Sequence, residues 1–152
     1  MVPVKTVLHP TDLTTASRRA FDLAWQIARD RGARIVALHI VPPANRNAAE
    51  VVIGNPLAGF HEIAPEVTIE TRIERGDPAG VILRVAEEIK CDFIVMGTHG
   101  RTGPSHWLTG HISDKVVRRA RCWVLALPYP FPENEPPLLN VRWEMAASTV
   151  SK

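Results

Sequence analysis

The sequence predicts an α/β fold in which a mostly parallel sheet carries helices on both faces. Short apolar runs typical of buried strands recur along the chain, and segments with helical spacing of apolar residues separate them. Glycine and proline stand at the boundaries between these segments. Because parallel neighbours need a crossover connection, strands that alternate with helices favour parallel pairing.

The N-terminal segment predicts the first strand and the first helix. Val4–Leu8 is β-prone, and His9–Asp12 (HPTD) is predicted to end the strand, since proline is excluded from central strands. Thr14 or Thr15 can cap the helix that follows. Gly32 stands where the C-cap of that helix is expected.

The middle of the chain predicts two further strands and a second long helix. Arg34–Val41 (RIVALHIV) is almost continuously apolar, as a strand buried on both faces should be. Glycines and prolines after it leave room for a short helix near Asn47–Ile53. Val67–Glu74 alternates apolar and polar residues, which suits a half-covered strand. The next helix opens with Asp77 as its N-cap and Pro78 as its first residue.

The last part of the predicted domain contains two strands with a helix between them. Phe93–Met96 (FIVM) is fully apolar and leads into a glycine-rich loop. Helical spacing returns after Gly110, and Trp123–Leu127 (WVLAL) is the last strand, which Pro128 ends.

The composition excludes several classes of protein. The 152 residues, 45% hydrophobic and 22% charged, suffice for one domain and exclude wholesale disorder. Lysine and arginine number 18 against 16 aspartate and glutamate residues, which gives no electrostatic case for a nucleic-acid partner. No apolar run has the length of a signal peptide or of a membrane span, so we expect a cytoplasmic protein without membrane association.

The cysteines and histidines do not predict a metal site. Cys91 and Cys122 lack the CxxC spacing of a zinc site, and each precedes a strand that should lie beside the other. Two buried thiols are the favoured interpretation in a reducing cytosol. His99, His106 and His111 do not share a helix face, so we expect no structural metal.

Proline placement separates the domain from the C-terminal segment. The chain has 13 prolines among its 152 residues, or about 8.6%, which is above the usual level of roughly 5%. Five of them follow the last strand within ten residues: Pro128, Pro130, Pro132, Pro136 and Pro137. We therefore expect a domain over residues 1–128 and a Pro-rich segment over residues 129–152. That segment is either a mobile tail or an arm that docks through its aromatic side chains.

The glycine-rich loop is the strongest candidate for ligand binding. Gly97–Gly103 runs toward a helix that starts at Gly110, and glycines let backbone N–H groups approach a phosphate. Arg101 can add a charge-assisted contact. The loop is neither a Walker motif nor a GxGxxG fingerprint, so a simple glycine-rich connector is an equal alternative.

The spacing of the loop glycines resembles a known signature. Gly97-xx-Gly100, followed by nine residues and Gly110, is similar to the G-2x-G-9x-G-(S/T) nucleotide-binding motif of the universal stress protein family. The N-terminal phrase VLHPTDLTTASRRAFDLAWQIA also resembles that family, and the similarity extends over residues 3 to 128. The resemblance implies the strand order 3-2-1-4-5 and a homodimer that pairs through Trp123–Leu127.

The resemblance also implies an adenine-nucleotide site, with ATP or AMP as ligand and Mg with the phosphates. In that site Asp12 contacts the ribose, the backbone of Val41 contacts adenine, and the loop glycines with the helix start hold phosphates. The candidate residues end a strand, lie in the loop or open the helix: Pro10, Asp12, Val41, Met96, Gly97, Gly100, Arg101, Gly110, His111 and Ile112. By its position alone, Asp12 could instead serve only as a turn or capping residue.

Two features depart from the family pattern. His111 stands where the family has serine or threonine, so the hydroxyl contact to phosphate is lost while the backbone N–H groups remain. The helix after the second strand is shortened to a fragment between Pro43 and Pro65.

No catalytic motif such as GxSxG or HExxH is present, so the sequence favours a binding protein over an enzyme. We expect a regulatory dimer of the stress response that binds ATP or AMP. The alternative is a nucleotide-independent interaction module on the same fold. A third hypothesis is weak ATP hydrolysis, or an anion sensor in which binding by His111 weakens as the pH rises from about 6 to 8.

Overall fold

The computed structural model describes residues 2–13, 15–41, 43, 57, 59–98 and 110–127. The strands are β1 (Thr6–Thr11), β2 (Arg34–Val41), β3 (Ile69–Arg75), β4 (Phe93–Gly97) and β5 (Trp123–Leu127). The helices are α1 (Thr15–Arg31), α2 (Gly59–Ile63), α3 (Pro78–Glu88) and α4 (Gly110–Arg119). All strand pairs are parallel and the sheet order is β3-β2-β1-β4-β5, which confirms the expected fold and topology.

Apolar clusters cover both faces of the sheet. Successive side chains of a strand point to opposite faces, so neighbouring residues enter different clusters. Val7, Ile35 and Val95 lie on the face covered by α1. Leu8 and Ile94 lie on the other face, with side chains from α3 and α4. The prediction of helices on both faces is confirmed.

Strand β1 runs to Thr11, so the prediction that it ends at Leu8 is wrong. Its pairing with β2 continues to Thr11↔His39, whereas its pairing with β4 stops at Leu8↔Ile94. Pro10 therefore lies where β1 has a paired neighbour on one side only. A proline, which has no N–H to donate, is tolerated at such a position.

The other predicted boundaries agree with the structure to within two residues. Strand β3 begins at Ile69 rather than Val67, because the N–H of Val67 donates to the carbonyl of Ala64 in the preceding turn (3.1 Å). The predicted helix near Asn47–Ile53 and the segment 129–152 lie outside the described residues.

The N-cap of α3 and the glycine that follows α1 stand where they were predicted. The Asp77 carboxylate accepts a hydrogen bond from the N–H of Gly80 (3.0 Å), and Pro78 is the first residue of α3. Gly32 follows α1 with φ of +63°. Within the described part of the chain, no helix is long and apolar enough to cross a membrane.

Gly76 connects β3 to α3 in a backbone conformation that favours glycine. Its φ is +141°, and its N–H donates to the carbonyl of Val41 (3.2 Å). A Cβ atom at this position would lie 3.0 Å from Cγ2 of Val81. The turn therefore requires a residue without a side chain, and it fixes the end of β2 against β3.

Gly76→Ala is expected to lower the free energy of unfolding by about 2–3 kcal/mol. The added methyl group would contact Val81, and residues with a side chain rarely adopt the φ of this position. Gly32→Ala is the matched control, since Gly32 also has a positive φ but open space around its Cβ position. Its cost should be about 1 kcal/mol. Guanidinium unfolding of both variants measures the difference, and equal losses would contradict a steric conflict at Gly76.

Candidate functional site

The strand order reverses between β1 and β4, and ligands of open α/β sheets bind outside the carboxyl ends of the strands at such a point. Asp12, Val41 and Gly97 stand at the carboxyl ends of β1, β2 and β4. Helix α4 connects two parallel strands, so its first residue, Gly110, faces the same edge of the sheet. The fold therefore brings the predicted strand-end residues and the helix start to one edge of the sheet, and the space outside this edge is called the crevice below.

Asp12 is held in place by the first turn of α1. Its side chain is buried, with 8% of the residue exposed, and Oδ1 accepts a hydrogen bond from Oγ of Ser17 (2.6 Å). The N–H of Asp12 donates in turn to the same Ser17 oxygen (3.2 Å). Asp12 thus stabilises the turn before α1, as its position in the sequence suggested, and these contacts fix the orientation of its carboxylate at the crevice.

Leu13, the residue after Asp12, has a strained backbone. Its φ is +65°, a region that residues with a side chain rarely adopt, and its side chain is partly exposed to solvent. The N–H of Leu13 donates to Oγ1 of Thr11 (3.0 Å), which stabilises this turn. Such strain concentrates at binding sites, where the surrounding structure holds one conformation.

The ends of β1 and β2 are tied together by a histidine. Nδ1 of His39 lies 3.0 Å from the carbonyl oxygen of Thr11. A carbonyl can only accept, so Nδ1 carries the hydrogen in this contact. At the end of β2, the Val41 side chain is buried and its carbonyl accepts from Gly76. The end of β2 is therefore fixed by its side-chain burial and by this backbone hydrogen bond.

The end of β4 is clamped to β5 before the loop begins. The N–H and Oγ1 of Thr98 both donate to the carbonyl of Leu127 (2.9 and 3.1 Å). Met96 is fully buried in the core beneath α3 and α4, and Pro10 is also buried. Both of these predicted site residues therefore have buried side chains.

The first turn of α4 suits an anion. It carries no acidic side chain, so nothing in that turn neutralises the partial positive charge of its N–H groups. His111 is exposed, while Ile112 packs against the core and anchors the helix. Gly100 and Arg101, the remaining predicted residues, lie outside the described ranges.

His9 is a core residue despite its place beside the crevice. Its ring packs against Phe21 and Phe60, with centroids 5.6 and 6.2 Å away, and Nδ1 lies 3.0 Å from the carbonyl oxygen of Val95. Burial lowers the pKa of His9 from 6.5 to about 4. The imidazole is therefore neutral near pH 7.

The sequence did not identify Ser17 or His39 as parts of the site. A serine in the first turn of a helix that follows an acidic turn residue is a usable signal for Ser17. The role of His39 depends on the register Thr11↔His39, which only the folded sheet provides. In the described residues, no three His, Cys, Asp or Glu side chains group as a metal site requires.

A comparison with protein families decides the identity of this fold. The profile of the universal stress protein family matches residues 3–128. The chain belongs to this family. The predicted membership of this family is confirmed.

Three relatives match this universal stress protein over most of their own length. One from Methanocaldococcus jannaschii is 30% identical over 147 residues, which cover 83% of each chain. The structure of UspA from Lactobacillus plantarum has a TM-score of 0.71 at 24% identity and covers 84% of this chain and 99% of its own. A universal stress protein in complex with cAMP has a TM-score of 0.64 at 28% identity, over 83% and 98% of the two chains.

Proposed function

We propose that this chain binds an adenine nucleotide, ATP or AMP, in the crevice between the carboxyl ends of β1 and β4. The observation that carries the proposal is the shared sheet edge, where Ser17 orients a buried Asp12 and α4 presents a first turn free of acidic side chains. A solved relative at 28% identity that holds cAMP supports an adenine nucleotide as the ligand.

Each part of the nucleotide has a matching group in this proposal. Asp12 accepts hydrogen bonds from the ribose hydroxyls, and the backbone of Val41 contacts adenine. The loop and the helix start hold the phosphates through five residues of the family motif and its surroundings: Gly97, Gly100, Arg101, Gly110 and His111. The N–H of Ile112 completes the first turn of α4. Mg²⁺ would enter with ATP, since this ion is usually held by phosphates and water rather than by a protein cage.

Purified protein provides the direct test of this function. We expect mass spectrometry of the untreated protein to detect an adenine nucleotide, and we expect millimolar ATP with Mg²⁺ or AMP to raise the melting temperature. At 100 times Kd the ligand adds about 2.7 kcal/mol of stability. GTP is the control for the base. The proposal fails if no adenine nucleotide is found and neither ligand shifts the melting curve.

His111 favours one alternative, a nucleotide-independent interaction module on the same fold, because it replaces the hydroxyl residue of the family motif. On this alternative, Gly110→Val leaves the stress phenotype unchanged. If nucleotide binding instead determines which surface of the protein a partner contacts, the same substitution abolishes the stress phenotype. In either case we infer a cytoplasmic binding protein with at most weak ATP hydrolysis, built on a domain at residues 1–128.

We also infer a homodimer that pairs through β5, one of the two edge strands of the described sheet. Trp123 is 74% exposed although it belongs to a strand. The N–H of Trp123 and the carbonyl of Leu127 bond toward β4, so the alternate residues Val124 and Ala126 direct their backbone groups away from it. An exposed edge with an unshielded tryptophan is a template for a second copy of the chain.

Ala126→Pro is expected to convert the dimer to a monomer, because it removes an N–H on the free edge and leaves the bonds to β4 intact. Ala126→Val, which keeps that N–H, is the matched control and should remain a dimer. Size-exclusion chromatography with light scattering measures both masses. A dimeric Ala126→Pro variant, or a monomeric wild-type chain, would contradict pairing through β5.

A further inference from the structure

The two cysteines meet at the end of the sheet opposite the nucleotide crevice. Cys91 follows α3, Cys122 follows α4, and their Sγ atoms lie 3.4 Å apart although 31 positions separate them in the chain. We propose that this pair is a reversible oxidation site that reacts with hydrogen peroxide or an organic hydroperoxide and closes to an intramolecular disulfide. The proposal does not depend on nucleotide binding.

The backbone already holds the two thiols in position. Each cysteine stands two or fewer residues before a strand, and β4 and β5 pair in register at Phe93↔Trp123. The N–H of Trp123 donates to the carbonyl of Asp92, which fixes the two approaches to each other (3.2 Å). A disulfide has an S–S length of about 2.05 Å, so closure requires the sulfurs to approach by little more than an ångström.

A small oxidant can reach the pair. Cys91 is buried, but Cys122 is partly exposed, and both line a groove of about 380 Å³ between the ends of α3 and α4. Lys90 and Arg119 also line this groove, together with Arg121 and Glu87, which pair with each other. Cationic side chains favour the thiolate, which is the reactive form of cysteine.

Nearby acidic groups are already engaged with other partners. The carboxylate of Asp92 accepts from the backbone N–H groups of Lys5 and Thr6 (2.8 and 3.0 Å). Glu87 pairs with Arg121, whose Nε lies 3.4 Å from the Glu87 carboxylate. The acidic side chains at this end therefore oppose a thiolate less than their number suggests.

The contact between the sulfurs gives the two thiols different tasks. The hydrogen bond from Cys91 lowers the pKa of Cys122, whereas the same bond and burial raise the pKa of Cys91. The more accessible Cys122 is thus the attacking thiolate, and Cys91 is the resolving thiol.

The reaction proceeds in two balanced steps. The Cys122 thiolate attacks one oxygen of the peroxide, the O–O bond breaks, and the other oxygen leaves as hydroxide, which takes up a proton. Cys122 is now a sulfenic acid. The Cys91 thiol loses its proton, its sulfur attacks Sγ of Cys122, and the S–O bond breaks as water forms. Overall, the dithiol loses two protons and two electrons, and hydrogen peroxide takes them up to become two molecules of water.

The test is oxidation of the reduced, full-length protein with hydrogen peroxide. Both thiols should disappear together, and non-reducing tryptic digestion should yield one linked pair of peptides. Trypsin cuts after Lys90 and Arg121, so each cysteine begins its own peptide. The link should form equally at high dilution, reverse with dithiothreitol, and be absent from Cys122→Ser and Cys91→Ser.

Three results would overturn the proposal. The first is that both thiols remain free after treatment with peroxide. The second is oxidation of a cysteine to a sulfinic acid without formation of the disulfide. The third is a disulfide that forms only between two chains. A melting temperature gives an independent measurement. The disulfide closes a loop between Cys91 and Cys122, so oxidation should raise the melting temperature of the wild-type chain by roughly 5–10 °C. A fall would mean that the native packing does not accept the bond, and it too would overturn the proposal.

Discussion

Gly110→Val is expected to abolish the stabilisation of this chain by adenine nucleotides. On the proposed function, the first N–H groups of α4 hold the phosphates, and they need close approach of the backbone to the ligand. A branched side chain on the first residue of α4 would occupy that space. Wild-type protein at 100 times Kd should melt roughly 5–10 °C higher than without nucleotide, and the variant should show no shift.

His111→Ser is the matched control, one residue away in the same turn, where the side chain is exposed. It keeps the backbone N–H groups and restores the hydroxyl of the family motif, so it should bind nucleotide at least as tightly as the wild-type chain. Without nucleotide, the melting curves of both variants verify that the fold is intact. A Gly110→Val variant with a full shift would place the phosphates away from α4, and loss in both variants would implicate the imidazole instead.

The sequence predicted the fold well because the fold depends on patterns that residues carry locally. The apolar run Arg34–Val41 and the cap Asp77-Pro78 specify their own elements, and both are confirmed. The extension of β1 through Pro10 was missed, since it depends on where β1 separates from β4. A single strand does not contain that information.

The site was only partly predictable for a similar reason. The family resemblance suggests Asp12 and the loop glycines as candidates, but the Ser17 contact and the strained φ of Leu13 are products of the turn between β1 and α1. The distance between Cys91 and Cys122 likewise depends on the register of β4 and β5. The order of the elements along the chain predicted that β4 and β5 are neighbours. It could not predict that the two sulfur atoms are in contact.

Two buried titratable groups on the α1 side of the molecule oppose each other in their effect on stability. Burial lowers the pKa of His9 from 6.5 to about 4, and burial raises the pKa of Asp22 from 3.8 to about 6. Asp22 is only 1% exposed, and neither carboxylate oxygen has a hydrogen-bond partner among the described residues. The charges of Arg18 and Arg19 offset part of this cost.

The signs of the two pH effects follow from which state binds the proton. Between pH 6.5 and 4 the unfolded chain protonates His9 and the folded chain does not, so stability falls as the pH falls. Between pH 3.8 and 6 the folded chain protonates Asp22 and the unfolded chain does not, so stability falls as the pH rises. At about 1.4 kcal/mol for each pKa unit, each effect amounts to about 3 kcal/mol, and the two largely cancel between pH 4 and 6.

Asp22→Asn should therefore raise the free energy of unfolding at pH 7 by about 2 kcal/mol, because it removes a buried charge without changing the shape of the side chain. The gain should vanish below pH 4, where the wild-type carboxyl is already neutral in both states. Urea unfolding from about pH 3 to about pH 7.5 measures the difference between variant and wild type, in which the His9 contribution and all other groups cancel. Asp30→Asn, an exposed carboxylate on the same helix, is the control and should change stability by less than about 0.5 kcal/mol at every pH. If Asp22→Asn lowers stability at pH 7, the ionised carboxylate stabilises the fold, and Asp22 then belongs to an ion pair rather than to an uncompensated burial.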